Sequence, residues 1–113
     1  MIEITLKTYL EGVLSEPVVL EVPHPAPAKY VVLDKTGSSR ENTIDTATFA
    51  IQSVAQTLYE AAELNERVKD AMEELPWAAA SVFKAALNSD GNFTNTATKE
   101  RRYQAVYHIT YKE

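Results

Sequence analysis

Apolar residues recur at three- and four-residue steps through residues 57–75, TLYEAAELNERVKDAMEEL: Leu58, Ala61, Ala62, Val68, Ala71, Met72 and Leu75. A 3.6-residue period gathers them on one broad stripe and predicts an amphipathic helix around which the rest of the chain is organised. Thr57 and Glu60 have the spacing of a capping box, in which hydroxyl and carboxylate satisfy backbone donors left free by the first turn. Glu63 and Arg67 form a favourable i,i+4 pair. Pro76 lacks an N–H and biases Leu75 away from helical torsions, so the helix is expected to stop there.

Upstream, Ile2, Leu6, Tyr9, Leu10 and Val13 share a helical face, while Ile2, Ile4 and Leu6 would also fit a short strand; a helix is the preferred reading. Gly12 and Pro17 mark its exit, and 18–22 follows as a candidate short strand. The alternate prolines of PHPAPAK, 23–29, predict an extended, polyproline-like stretch. It is read as a stiff connector in preference to a ligand for an aromatic groove.

Residues 30–34 are rich in β-formers, and 35–42, KTGSSREN, has the polarity and glycine of a hairpin loop. Alternation in 43–55 puts Ala47, Phe49 and Ile51 on one face of a strand and Ile44, Ala50 and Val54 on the other. In 78–87 alanine favours helix and Ser81-Val82-Phe83 favours strand; strand is the reading taken. Residues 88–98, NSDGNFTNTAT, then form a polar loop around the Asp90-Gly91 turn signal. Residues 102–112 alternate plainly, with Tyr103, Ala105, Tyr107, Ile109 and Tyr111 together on one face. The expected fold is a single α+β domain of order α-β-β-α-β-β, an antiparallel sheet of about four strands with two helices packed on one face.

A length of 113 residues with 45% hydrophobic content supports one core and leaves no room for a second. Without cysteine there is no disulfide framework or thiolate chemistry. The opening MIEITLKTYLEG holds no apolar run long enough for a signal peptide or membrane span, so a soluble, unsecreted chain is expected. Sixteen acidic against eleven basic residues, net −5, argue against a nucleic-acid binder that works through a basic surface.

No catalytic, cofactor or metal motif emerges. With Asn88 as position one, NSDGNFTNTATKE puts Phe93 where a calcium loop needs glycine and Lys99 where it needs a bidentate acid. His24 and His108 lack partner spacing for a metal. Thr36 to Arg40, TGSSR, lacks the lysine and immediate helix of a phosphate loop, and no serine lies in a nucleophile elbow. The row Tyr103, Tyr107, Tyr111 suits either an interface or a sheet face under a helix, with core packing favoured. Glu60, Glu63, Glu66, Glu73 and Glu74 read as a solvated helix face.

Three blocks carry a resemblance: EPVVLEVPHPAPAKYVVLDKTGSS, FAIQSVAQTLYEAAELNERVKDAMEEL and ERRYQAVYHITY, most specifically IQSVAQT running into EAAELNERV and the closing RYQAVYHITY. Together they resemble the tail-completion proteins of long-tailed phages and prophages, the tail-terminator or tail-to-head joining family. The resemblance implies a nonenzymatic, cofactor-free subunit that forms a ring, commonly of about six copies, at the head-proximal end of the tail tube. Implied partners are further copies of itself, the tail tube protein and the head connector or completion protein. DNA would pass through the ring without sequence-specific binding, and no membrane is involved. The implied location is the bacterial host cytoplasm during assembly, then the head–tail interface of the virion. The two polar loops, with Lys35, Ser38, Arg40, Asp90, Asn92 and Phe93, are the expected oligomer-interface or docking segments and are expected to reorder on assembly. Alternative readings are a head-completion or minor capsid subunit, and a small ligand-binding or enzymatic domain with a pocket between helix and sheet.

Overall fold

A computed structural model describes residues 1–94 and 100–112. Its elements are α1 (Ile2–Val13), β1 (Val18–Val19), β2 (Tyr30–Glu41), β3 (Ile44–Ala55), α2 (Leu58–Ala78), β4 (Val82–Asn92) and β5 (Arg101–Tyr111). The strands form one sheet in the order β1-β2-β3-β5-β4. Among the described residues the chain is thus α+β with two helices, but its sheet has five strands and is mixed. The expected antiparallel set of about four is corrected by β1, which pairs in parallel with Val31 and Val32 of β2. All other pairings are antiparallel.

β3 is the axis of this sheet, bonded along its whole length to β2 on one side and β5 on the other. Its alternation sends Ala47, Phe49 and Ile51 toward the helices, where they join Val31, Leu33, Ala105, Tyr107, Ile109 and Tyr111 in one buried cluster. Ile2, Leu6 and Leu10 of α1 and Leu64, Val68, Met72 and Leu75 of α2 cover that cluster from the same side. Period 3.6 above and period 2 below therefore supply one core. Tyr9 Oη donates to the carbonyl of Ala71 at 2.7 Å and fixes α1 against α2. Of the expected α2 stripe, Leu58 is exposed, whereas Leu64 and Asn65 are buried. The tyrosine row lies on the helix side, with Tyr107 and Tyr111 buried and Tyr103 partly so.

The helix begins at its expected cap, with the hydroxyl half of the box formed: Glu60 N–H donates to Thr57 Oγ1 at 3.1 Å, and the Glu60 carboxylate accepts from that hydroxyl, not a backbone donor, at 3.0 Å. Its end differs from expectation, because α2 runs through Pro76 to Ala78. Proline in a last turn forfeits only the bond to the carbonyl four residues back. Fully buried Leu75 anchors that turn, and the Ala79 N–H closes it on the Leu75 carbonyl at 2.9 Å.

Two expected loops are strands. Residues 35–41 extend β2 to a two-residue turn at Asn42 and Thr43, both at positive φ (51° and 66°), as a type I′ hairpin turn requires. Residues 88–92 belong to β4; the rest of the expected loop includes 95–98, which lie outside the described residues. In each case a strongly patterned neighbour, β3 or β5, templates a polar strand through its backbone. Thr43 is β-branched and strained at its φ, so Thr43→Gly should stabilise the fold by roughly 1 kcal/mol. Urea denaturation at neutral pH measures this, and a lower midpoint would contradict the strain argument.

Candidate interaction surfaces

The six residues singled out from sequence divide into two groups on different strands. Lys35, Ser38 and Arg40 lie on β2, where pairings to Phe49, Ala47 and Asp45 put all three on the helix side of the sheet. Asp90 and Asn92 lie on β4, and Phe93 follows it. β3 and β5 intervene, so the groups are separated by three strand spacings, roughly 14 Å. The fold makes two unlike surfaces of them, not one site.

Around the first group is an open cleft lined by Met1, Ile2, Glu3, Lys35, Ser38, Ser39, Arg40, Asp45 and Tyr111. Arg40 grips Asp45 with both carboxylate oxygens engaged, Nη2 lying 2.9 Å from Oδ2. The guanidinium holds the buried Asp45 carboxyl below its ordinary range. Lys35 Nζ meets Glu3 at 2.9 Å, and this bond leads the causes that lower the Glu3 carboxyl. The Glu3 pair fastens the first turn of α1 to β2, and the Asp45 pair ties the end of β2 to β3.

At the second group, Asp90 accepts from Lys69 Nζ at 2.9 Å and from Asn65 Nδ2 at 3.1 Å. Lys69 also meets Glu66 at 2.9 Å. The bond from Lys69 is the main cause lowering the Asp90 carboxyl, and Asp90 is in turn the main cause raising the Lys69 ammonium. A cleft beside them, between α2 and β4, is bordered by Glu66, Asp70, Glu73, Ala85 and Leu87, with Tyr107 at its base. Burial pushes the Tyr107 hydroxyl up to about 12.

A third cluster clamps the connector after α1. Arg67 forks onto Glu16 at 2.9 and 2.6 Å, with Lys29 at 3.6 Å. The Arg67 bonds, opposed by desolvation, bring Glu16 down to about 2. On the sheet face away from the helices, Tyr30 Oη donates to Glu100 at 2.9 Å and Gln52 bonds Gln104 at 3.0 Å. Thr48 Oγ1 lies 3.0 Å from His108 Nδ1 on the same face, exposed. Among the described residues no group of three or more His, Cys, Asp or Glu is placed to hold a metal ion, and no helix is long and apolar enough to cross a membrane.

Sequence reasoning passed over the exposed apolar side chains at the β4 side: Phe83 is 54% and Leu87 46% exposed, and Trp77, at the end of α2, is 86% exposed. Large apolar residues on a strand with one open edge were the available signal. No protein-family model matches the chain, and no curated protein matches it either.

The Glu16 clamp gives a pH dependence with a defined sign. A carboxyl depressed from its ordinary value near 4.5 to about 2 stabilises the fold above the unfolded value, and that contribution is lost as pH falls from 4.5 toward 2. Allowing for solvent screening at partly exposed Arg67, Glu16→Gln should cost about 1–2 kcal/mol at neutral pH and flatten the acid limb. Urea midpoints measured from pH 7 to 2 check both, and an unaltered acid limb would assign the loss to other carboxylates.

Proposed function

We propose that this chain is a nonenzymatic phage structural subunit of the tail-completion type. It assembles as a ring at the head-proximal end of the tail tube, ends tube polymerisation and presents a docking surface to the head connector. The observation that carries the reading is the placement of two unlike polar and charged surfaces toward opposite edges of a single small sheet. A cyclic ring repeats a heterologous contact, so each subunit must offer two different, mutually matching patches. The sequence blocks that resemble tail-completion proteins add the tail and its connector as partners.

The titratable groups support the same reading. The perturbed acids Glu3, Glu16, Asp45 and Asp90 are all engaged by cationic side chains, an arrangement that fastens elements together. The net charge of −5 favours DNA that passes through such a ring without adhering.

Light scattering across a wide concentration range, with negative-stain imaging of the same samples, tests the proposal. The expected result is a closed particle of about six chains, formed alone or on mixing with isolated tail tubes, which it then caps. Binding to portal rings but not to tubes would move the function to head completion. A monomer that engages neither would remove the structural reading altogether.

A further inference from the structure

Two stretches of sheet edge have no strand partner among the described residues. One is the outer edge of β4 along its whole length; the other is the outer edge of β2 beyond Val32, because β1 covers only Val31 and Val32. Long open edges invite another strand, and β4 carries exposed Phe83 and Leu87 beside its edge. We infer that the two edges are halves of one contact: β4 of one copy pairs antiparallel with the outer half of β2 of the next, continuing the sheet from subunit to subunit. This names the contact within the ring proposed above and rests on that reading.

Direction, register and charge argue for it. β4 runs opposite to β5, β5 opposite to β3, and β3 opposite to β2, so β4 and β2 are antiparallel. Rotation about a ring axis to which the strands are tilted, as in a barrel, keeps their sense, so β4 meets the neighbour's β2 antiparallel, and the tilt lets a closed ring carry a register offset. Following the pairings across the sheet, Leu87 is level with Tyr107, Phe49 and Lys35, and Ala86 with His108, Thr48 and Gly37. Gly91 is likewise level with Gln104, Gln52 and Val32, so at zero offset the end of β4 would meet the neighbour's β1. An offset of about two residues toward the Asn42-Thr43 turn clears β1, and an even offset keeps every side chain on its own face.

On that offset the neighbour's Lys35 comes level with Asp90, and its Arg40 enters the cleft between α2 and β4. The side chain of Arg40 is 68% exposed while it holds Asp45. The receiving cleft is bordered by Glu66, Asp70 and Glu73, with Lys69 already committed to Asp90 and Glu66. Cations thus approach an acidic wall, and the exposed apolar residues of β4 lie on the strand that becomes covered.

Because the chain has no cysteine, introduced thiols report this contact without background. Ala86→Cys is combined with Ser39→Cys for the offset register, and with Gly37→Cys for the unshifted one. All three positions lie on the sheet face away from the helices. Gly37 is not at positive φ and has open space where a Cβ would go. Directly opposed strand positions are close enough for a disulfide. The reduced variants should melt with the parent. After mild oxidation, with and without tail tubes, a double variant should give a ladder of covalent multimers while each single variant stays monomeric. Rings without a ladder from either pair would overturn the strand contact and leave the ring standing. Dimers from Ala86→Cys alone, at the yield of the double variant, would show β4 pairing with β4 and overturn it. Neither rings nor ladder, up to the solubility limit and with tubes present, would overturn the contact and the ring together.

Discussion

Burial of one face of the sheet beneath α1 and α2 is the constraint on which the rest depends. β3 supplies the middle of that face through Ala47, Phe49 and Ile51, all fully buried, and β5 continues it through Ala105, Tyr107 and Ile109. Side chains alternate with a period of two, so slipping either strand by one residue would turn this apolar set to water and bring Thr48, Gln52, Gln104 and His108 into the core. Register is therefore fixed in the centre of the sheet. The edges inherit it: β2 and β4 have polar outer stretches with no core of their own to align them, and their places follow from the backbones of β3 and β5.

That division explains what could be read from the sequence. The β3 and β5 alternations report directly on burial and lie where the pattern places them, the Thr57 cap marks the start of α2, and the α2 stripe holds except at exposed Leu58, with Leu64 and Asn65 buried beside it. KTGSSRE and NSDGN carry no such report. Their strand conformation comes from pairing with distant residues, and side chains facing water on an edge need not alternate. The turn was hidden as well, since Asn42-Thr43 takes a geometry usually announced by Asn-Gly. β1 was legible only as a short apolar run; its two residues and parallel sense depend on where β2 happens to lie. Pro76 misled because a local rule about N–H groups was outweighed by Leu75, whose burial is a property of the whole fold.

The interaction surfaces were less legible than the fold. Lys35, Ser38, Arg40, Asp90, Asn92 and Phe93 stand in segments whose polarity reads as loop, yet all but Phe93 lie on strands. Their relation, toward opposite edges of one sheet face with two strands between them, belongs to topology and has no local signature. Phe83 and Leu87 are ordinary strand formers in a short window; only the open edge of β4 gives their exposure a meaning.

The strand order also governs how the domain can be built as it is made. β5, the last strand in sequence, lies between β3 and β4. A nascent chain that has emerged as far as β4 holds α1, α2 and the β2–β3 hairpin, but β4 has no bonding neighbour and the inner edge of β3 is bare. Two unpaired strands then coexist with a half-covered apolar face, the condition in which chains find one another before they find themselves. Only the arrival of β5 closes the gap, through pairings with β3 that span about sixty residues of chain. The domain therefore matures in a single late step, and premature termination anywhere before β5 removes the middle of the sheet, not its margin.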